Sequence, residues 1–330
     1  MLCRATVRHQ RWPLKAPFRI SRGVKTEAET VIVRLRRGET TGQGEATPYP
    51  RYGESCASVM AELAPALAAF EAGEPDEGLT ADLAPGAARN ALDCALWDLD
   101  ARESGWSVGR LTGLAMPASV VCAVTISLDD PDAMAAAARL SAAAPLIKVK
   151  LNADRPGERL QAVADAAPDA RLIVDPNESW TRALLEELAP LLARLPVALI
   201  EQPLPADDDQ SLEGFTPPAP LCADESFHTS ADLGALRNRY QVVNIKLDKT
   251  GGLTEAAQAL RSARALGFQV MSGCMVASSL AIAPALHIAG AADFVDLDGP
   301  WWLADDWPDG VKLEDGLMHA PAAGFWGSRG

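Results

Sequence analysis

Three short apolar runs in the middle of this sequence each end in a single acid. Arg171-Leu172-Ile173-Val174 leads to Asp175, Val197-Ala198-Leu199-Ile200 to Glu201, and Pro220-Leu221-Cys222-Ala223 to Asp224. Lysines bracket them. Lys148 and Lys150 lie ahead of the first acid, and Lys246 closes a fourth run, Val242-Val243-Asn244-Ile245. Three carboxylates brought to one place repel one another unless a cation lies among them. An all-oxygen ligand set without Cys or His favours a hard cation, Mg²⁺ ahead of Mn²⁺. Taken singly, an Asp that ends a strand is ordinarily a cap or turn former, and a Lys there a solvated end. Acids and lysines at successive run ends read together as one site.

The elements that must position these residues follow from the same runs. A short apolar run without alternation is a strand buried on both faces, as in a parallel sheet. The runs recur about every 22 to 26 residues, enough for a strand and a covering helix, and helical patterns follow over 183–192 and 253–266. Parallel strands joined by helices send their C-terminal ends to one face, so Asp175, Glu201 and Asp224 are expected to converge there. Lys148 and Lys150 are two apart and point to the same side of their strand. Eight barrel strands are expected, over 119–126, 146–151, 171–175, 197–201, 220–224, 241–246, 268–272 and 294–296.

The first 115 residues do not follow that rhythm. Strands are expected over 2–12, 30–36 and 41–46 and helices over 58–72 and 87–103, a small α+β domain ahead of a barrel over 116–300. The Trp-, Pro- and Gly-rich segment 301–330 is expected to return to that first domain. Two loops depart from a core pattern: Arg19-Ile20-Ser21-Arg22-Gly23 and Thr47-Pro48-Tyr49-Pro50-Arg51-Tyr52-Gly53-Glu54. They read either as exposed turns or as a lid over the barrel mouth, with Arg22 or Arg51 meeting a substrate carboxylate through two bonds.

Composition excludes several classes. With 330 residues and 48% hydrophobic content the chain can bury a large core. Its net charge of −14 makes nucleic acid and anionic membrane poor partners. Six scattered cysteines without a Cys-x-x-Cys look like reduced thiols. No basic-then-apolar leader and no membrane-length run is visible, so a cytoplasmic location is expected. Lys249-Thr250-Gly251-Gly252 lacks Walker A spacing, no Gly-x-Ser-x-Gly or dinucleotide fingerprint is present, and His287 sits in an apolar helix where packing suits it better than catalysis.

These motifs resemble the enolase superfamily, in its muconate-lactonising subgroup, over essentially the whole chain. Within it the sequence looks like the dipeptide epimerases. The similarity lies in the segments Thr47 through Ser55, Gly86-Ala87-Ala88-Arg89-Asn90-Ala91-Leu92-Asp93, Val243-Asn244-Ile245-Lys246-Leu247-Asp248-Lys249-Thr250-Gly251-Gly252, and Asp296-Leu297-Asp298-Gly299-Pro300. Ser272-Gly273-Cys274-Met275-Val276-Ala277-Ser278 does not match that pattern in detail and leaves the accepted side chain open. The resemblance implies a modified TIM barrel, (β/α)7β, with a capping domain over 1–115 that the C-terminal segment completes. It implies one Mg²⁺ per subunit on Asp175, Glu201 and Asp224, and 1,1-proton transfer by Lys150 and Lys246, each with its pKa lowered toward neutrality, while Lys148 steadies the charge. The substrate would be a small dipeptide, L-Ala-L-Glu interconverting with L-Ala-D-Glu, in cell-wall (murein) peptide recycling. Asp296 and Asp298 would hold its ammonium, Arg22 its glutamyl carboxylate, and Thr125 would join the substrate-binding set. Asn177, Glu225 and Asp248 would orient their neighbours. Two alternatives keep the site and change the substrate, N-acylamino acid racemase and o-succinylbenzoate synthase; neither substrate carries an ammonium for Asp296 and Asp298. A non-catalytic metal-binding barrel would have no use for the flanking lysines. Self-association is compatible with such barrels, though the sequence displays no interface.

Overall fold

The computed structural model of the chain describes residues 2–327; Met1 and residues 328–330, which fall within the expected domain bounds, lie outside the described residues. The chain opens with a long antiparallel hairpin, β1 (Cys3–Ile20) and β2 (Gly23–Arg37), whose tip is Ser21-Arg22, and β3 (Thr40–Ala46) pairs on the other side of β2. Both hairpin strands run further toward the tip than the apolar pattern marks, because their ends carry charged and half-exposed residues that obscure the strand period. The helix Ala87–Ser104 lies directly on this sheet. Gly42 and Gly44 make that possible, since a Cβ at either would drive into the backbone carbonyls of Ala95 or Ala91. Val31, Val33 and Leu35 meet Ala88, Ala91, Leu92 and Leu99 in this domain's own core, with the helix Cys56–Ala72 completing it.

Eight strands then form one parallel sheet. In order they are β5 (Val124–Ile126), β6 (Leu146–Lys150), β7 (Arg171–Asp175), β8 (Val197–Glu201), β9 (Leu221–Ala223), β10 (Val242–Ile245), β11 (Gln269–Gly273) and β12 (Phe294–Asp296). A backbone bond from Ala123 N–H to the Val295 carbonyl, 2.8 Å, ties the first strand's entry to the last strand. The architecture is the expected modified TIM barrel with its N-terminal α+β domain. Alternation along the strands sorts the residues. Leu146, Ile173, Leu199, Cys222, Val242, Met271 and Phe294 form an apolar plug, and the next inward positions up these strands are Lys148, Asp175, Glu201, Asp224, Asn244, Gly273 and Asp296. Outward residues such as Ile147, Leu172, Val174, Val243 and Val270 pack in a second cluster with residues of the helices.

Two details differ from the sequence reading. The run 119–126 splits in two: β4 (Ser119–Val121) pairs antiparallel with β14 (Leu317–His319), itself in a hairpin with β13 (Lys312–Glu314), and only β5 enters the barrel. The crossover after β8 holds only the 3-10 turn Asp209–Leu212, because Pro203, Pro205, Pro217, Pro218 and Pro220 deny it the N–H groups a helix needs. The C-terminal segment reaches the first domain at separate points. Leu303 bridges to Leu14, and Trp326 Nε1 donates to the Gln43 carbonyl at 3.0 Å. No disulfide is present and no helix is long and apolar enough to cross a membrane, among the described residues.

Candidate active site

The strand ends bring Lys148, Lys150, Asp175, Glu201, Asp224 and Lys246 together at one end of the barrel, all buried. Lys148 Nζ lies at the junction of three acids: 2.6 Å from Glu201 Oε2, 2.7 Å from Asp296 Oδ2 and 3.0 Å from Asp175 Oδ2. Lys150 Nζ donates to Asp175 Oδ2 at 2.6 Å and to Asn177 Oδ1 at 3.2 Å. Lys246 Nζ donates to Asp224 Oδ2 at 2.6 Å. The loops leaving β7 and β8 hold three non-glycine residues at positive φ, Asn177 (45°), Glu178 (67°) and Gln202 (34°). Such conformations cost energy and collect where side-chain placement matters more than local stability.

Charge sets the protonation pattern. Burial would lower Lys148 and Lys246, but the neighbouring carboxylates outweigh it: Asp296, Glu201 and Asp175 for Lys148, and Asp224 and Glu201 for Lys246. Both lysines are held well above the usual range. For Lys246 this is the opposite of the lowering expected from the sequence, because the carboxylates around it, Asp224 first and Glu201 next, together outweigh desolvation. Burial raises Asp175 and Asp224, yet the lysines beside them bring both below the usual range. Glu201 goes the other way: burial and Asp175 push it up to about 7.

The donor set suits a hard cation. It is all oxygen, and Glu201 Oε2 accepts no directed hydrogen bond although Lys148 stands 2.6 Å away; its other oxygen is taken by Asn244 Nδ2 at 2.8 Å. As the side chains stand, no three His, Cys, Asp or Glu residues form a metal cage among the described residues, because Lys148 occupies the place where the acids converge.

A cavity of about 470 Å³ opens from this floor. Thr125, Lys148, Lys150, Asn177, Asp224, Glu225, Lys246, Asp296 and Asp298 line it from the barrel, and Arg22, Lys25, Tyr49, Arg51 and Tyr52 from the first domain. Asp298 Oδ2 accepts from the Thr125 backbone N–H at 2.7 Å, while Asp296 Oδ1 is buried without a hydrogen-bond partner. Burial and the adjacent Asp296 push Asp298 up to about 7.

The two loops with unusual composition both reach the mouth. Arg51 does form a two-bond pair with a carboxylate, but with the chain's own Glu178: Nε to Oε2 at 3.0 Å and Nη2 to Oε1 at 2.9 Å. Arg22 lies 2.7 Å from Glu225 Oε1 and 3.0 Å from Glu178 Oε2, and donates to Tyr49 Oη at 3.0 Å. Asp248 lies away from the acids and the cavity. It accepts from Thr47 N–H at 2.8 Å and from Asn90 Nδ2 at 2.9 Å, joining the two domains, and burial pushes it up to about 7. His287 is packed, its Nδ1 2.7 Å from the Leu114 carbonyl.

Four contributors were not singled out from the sequence. Lys25 gave no signal beyond lying two residues after the first marked loop, and Glu178 none beyond following Asn177. Asn244 could have been found from the alternation, two residues before Lys246. Lys249, set aside with the apparent phosphate loop, is wholly buried and holds Asp224 through its carbonyl (2.5 Å) and Oδ1 (2.6 Å).

The chain matches two family models, mandelate racemase / muconate lactonizing enzyme, N-terminal domain, over residues 2–113, and enolase C-terminal domain-like over residues 132–325. It is 51% identical to the L-Ala-D/L-Glu epimerase of Escherichia coli (strain K12) over 310 residues, 93% of this chain and 97% of that one. It is 45% identical to the N-acetyl-D-glutamate racemase of a Pseudoalteromonas species, over 90% of this chain and 95% of that one. A solved structure of an enolase family member from Agrobacterium tumefaciens, with homology to dipeptide epimerases and with bound sodium and L-Ala-L-Glu, superimposes with a TM-score of 0.95 at 45% identity, covering 98% of this chain and 100% of that one.

Proposed function

The chain belongs to the mandelate racemase / muconate lactonizing enzyme family of the enolase superfamily and is an isomerase within it, and we propose that it epimerises dipeptides at the α-carbon of the C-terminal residue. The observation that carries this reading is the pairing of two lysines, Lys150 and Lys246, on either side of three strand-end acids, with Asp296 and Asp298 lining the same cavity. The α-proton beside a carboxylate is weakly acidic, because its removal adds charge to an existing anion. A Mg²⁺ ion, one per chain, would be held by Asp175, Glu201 and Asp224, and as a Lewis acid it would stabilise charge on the substrate carboxylate.

The chain's own residues do the rest. Lys150 ends β6 and Lys246 follows β10, four strands apart in the sheet order, which supports one lysine on each face of the α-carbon, which becomes planar once its proton is removed. One lysine takes the α-proton as a neutral amine; the other, as an ammonium, delivers a proton to the opposite face. Lys148, already the shared partner of three carboxylates, adds positive charge beside the substrate carboxylate. Asp296, with one oxygen unpartnered, and Asp298 would take the N-terminal ammonium, with Thr125 holding Asp298 in place. Asn177 orients Lys150, and Glu225 orients Arg22. The side chain of the inverted residue would point toward the hairpin end of the cavity, where the sequence singled out Arg22. A cytoplasmic step in recycling cell-wall peptides suits such a substrate.

The test is proton NMR of the protein with Mg²⁺ and L-Ala-L-Glu in D₂O. The expected result is loss of the Glu α-proton signal as L-Ala-D-Glu appears. Exchange without inversion would reject the two-sided lysine pair. N-acetyl-L-glutamate in the same assay addresses the racemase alternative: it lacks the ammonium, so preferential turnover of it would remove the assigned role of Asp296 and Asp298.

A further inference from the structure

The crossover between β8 and β9 carries a buried acid that no step of the proposed reaction uses. Asp209 opens the 3-10 turn there, is 1% exposed, and pairs through Oδ1 with Arg239. Its Oδ2 is the common acceptor of two hydroxyls, Ser226 Oγ at 2.6 Å and Tyr240 Oη at 2.8 Å. With their protons directed at Asp209, both hydroxyls turn lone pairs toward Gln202. Gln202 Nε2 donates to Ser226 Oγ at 2.8 Å, to Tyr240 Oη at 3.0 Å and to the Leu204 carbonyl at 2.9 Å. Its amide oxygen faces the other way and accepts the backbone N–H of Asp224 at 2.9 Å and of Ser226 at 3.1 Å. The bonds therefore all run in one direction, from the Asp224 backbone to the Asp209 carboxylate. A carboxylate held against a guanidinium accepts and does not donate, so it fixes the direction of every bond behind it. Gln202 is wholly buried at a φ of 34°, and the bonds its side chain makes offset what that conformation costs. It follows Glu201 directly and receives the N–H of Asp224, so one side chain ties together two strand ends that carry expected metal ligands.

We propose that Asp209 is a positioning residue for the metal site: by directing the Ser226 and Tyr240 hydroxyls it holds the Gln202 amide in the orientation that sets Asp224 beside Glu201. This rests on the Mg²⁺ reading above and extends it to a residue that does not line the cavity. Direction matters here because the site is dry. A reversed Gln202 amide would put its N–H groups against those of Asp224 and Ser226 and its oxygen against the Leu204 carbonyl, leaving buried groups unsatisfied on both sides. The crossover that its prolines keep from becoming a helix is thus the element that supplies the last acceptor of this chain of bonds.

The experiment measures Mg²⁺ affinity by calorimetry, with urea midpoints on the same preparations, in wild type, D209L, R239M and the double variant S226A/Y240F. D209L and R239M break the same buried ion pair, so a role in stability alone would move them together. Only D209L removes the acceptor, and S226A/Y240F removes the links while leaving the ion pair whole. The Kd for Mg²⁺ is expected to rise about tenfold or more in D209L and in S226A/Y240F, the usual effect of losing a group that orients a metal ligand. In R239M it is expected to change by less than about threefold, whatever the fall in urea midpoint. Should D209L not fold, the comparison of S226A/Y240F with R239M decides the matter. Equal affinities in D209L and R239M, or an unchanged affinity in S226A/Y240F, overturn the assignment of Asp209. A wild type without measurable Mg²⁺ affinity overturns the metal reading itself, and the assignment falls with it.

Discussion

The floor and the rim of this cavity are built by different rules. The floor stands on strand ends: Lys148, Asp175 and Glu201 are at most 1% exposed, and each is fixed by a backbone that the parallel sheet and the plug beneath it hold still. The rim stands on a hairpin tip and a loop, with Arg51 about 40% exposed at its side chain and Arg22 about 26%. On the floor charges are neutralised in dry contact, so every group shifts its neighbour. On the rim the arginines keep part of their water, while the side chains of their partners Glu178 and Glu225 are at most 7% exposed. Proton transfer needs positions fixed to a fraction of an ångström and belongs on the first kind of surface. Choosing a side chain can be done by the second, which can change without disturbing the first.

The sharpest attempt to break this contrast is on the floor. Lys150→Ala or Lys246→Ala is expected to reduce epimerisation by about 10²- to 10⁴-fold, the usual contribution of a positioned acid or base. Mg²⁺ affinity measured by calorimetry should survive in both. Full activity in either variant would end the two-lysine mechanism.

Asp248 tests the seam between the two regions. In the folded chain its carboxyl keeps its proton up to about pH 7, whereas the ordinary Asp value is 3.8, so folding takes up a proton between those pH values. Its contribution to stability is therefore greatest below about pH 4 and is lost as pH rises to about 7, by an amount on the order of a few kcal/mol. Asp248→Asn keeps the Oδ1 that receives Thr47 and Asn90 and should flatten that part of the stability profile in urea melts. An unchanged slope would place the pH dependence elsewhere.

Two smaller effects sharpen the contrast. Asp298→Asn should raise KM for dipeptides about tenfold with a lesser change in kcat, as expected for a group that holds substrate without reacting. An unchanged KM would remove its role. Arg51→Met, which takes away a rim pair whose arginine alone is exposed, should change KM by less than about fivefold, near the upper end of what a surface ion pair contributes. A change as large as that at Asp298 would show that the rim is as demanding as the floor.

The same division explains what could be read from the sequence. The acids and lysines of the floor were legible because a strand has a period of two and a barrel has one open face; position along the run and direction of the side chain are then linked. The eight barrel strands were legible for the same reason. The split of 119–126 was not, since Ser119-Val120-Val121 and Val124-Thr125-Ile126 are equally good strand formers and only the distant partner Leu317–His319 separates them. At the rim, the basic and aromatic composition marked both loops as unusual, but which arginine meets which acid depends on Glu178, a residue at positive φ in a loop that no periodicity governs. Asp248 shows the limit from the other side. It lies two residues from Lys246, yet the turn Leu247–Thr250 points it toward the first domain.

The contacts of the last residues with the first domain also set a timetable. Asp98, buried in the first domain, receives hydrogen bonds from Gln43 N–H and from Gly327 N–H, and the second donor lies 229 residues further along the chain. At a synthesis rate of about 5–20 residues per second, that carboxylate waits roughly ten to forty-five seconds for its final partner. During translation the first domain can assemble around its own core, but this part of its surface stays incomplete, and the cavity it roofs has no floor, until the barrel has followed it off the ribosome.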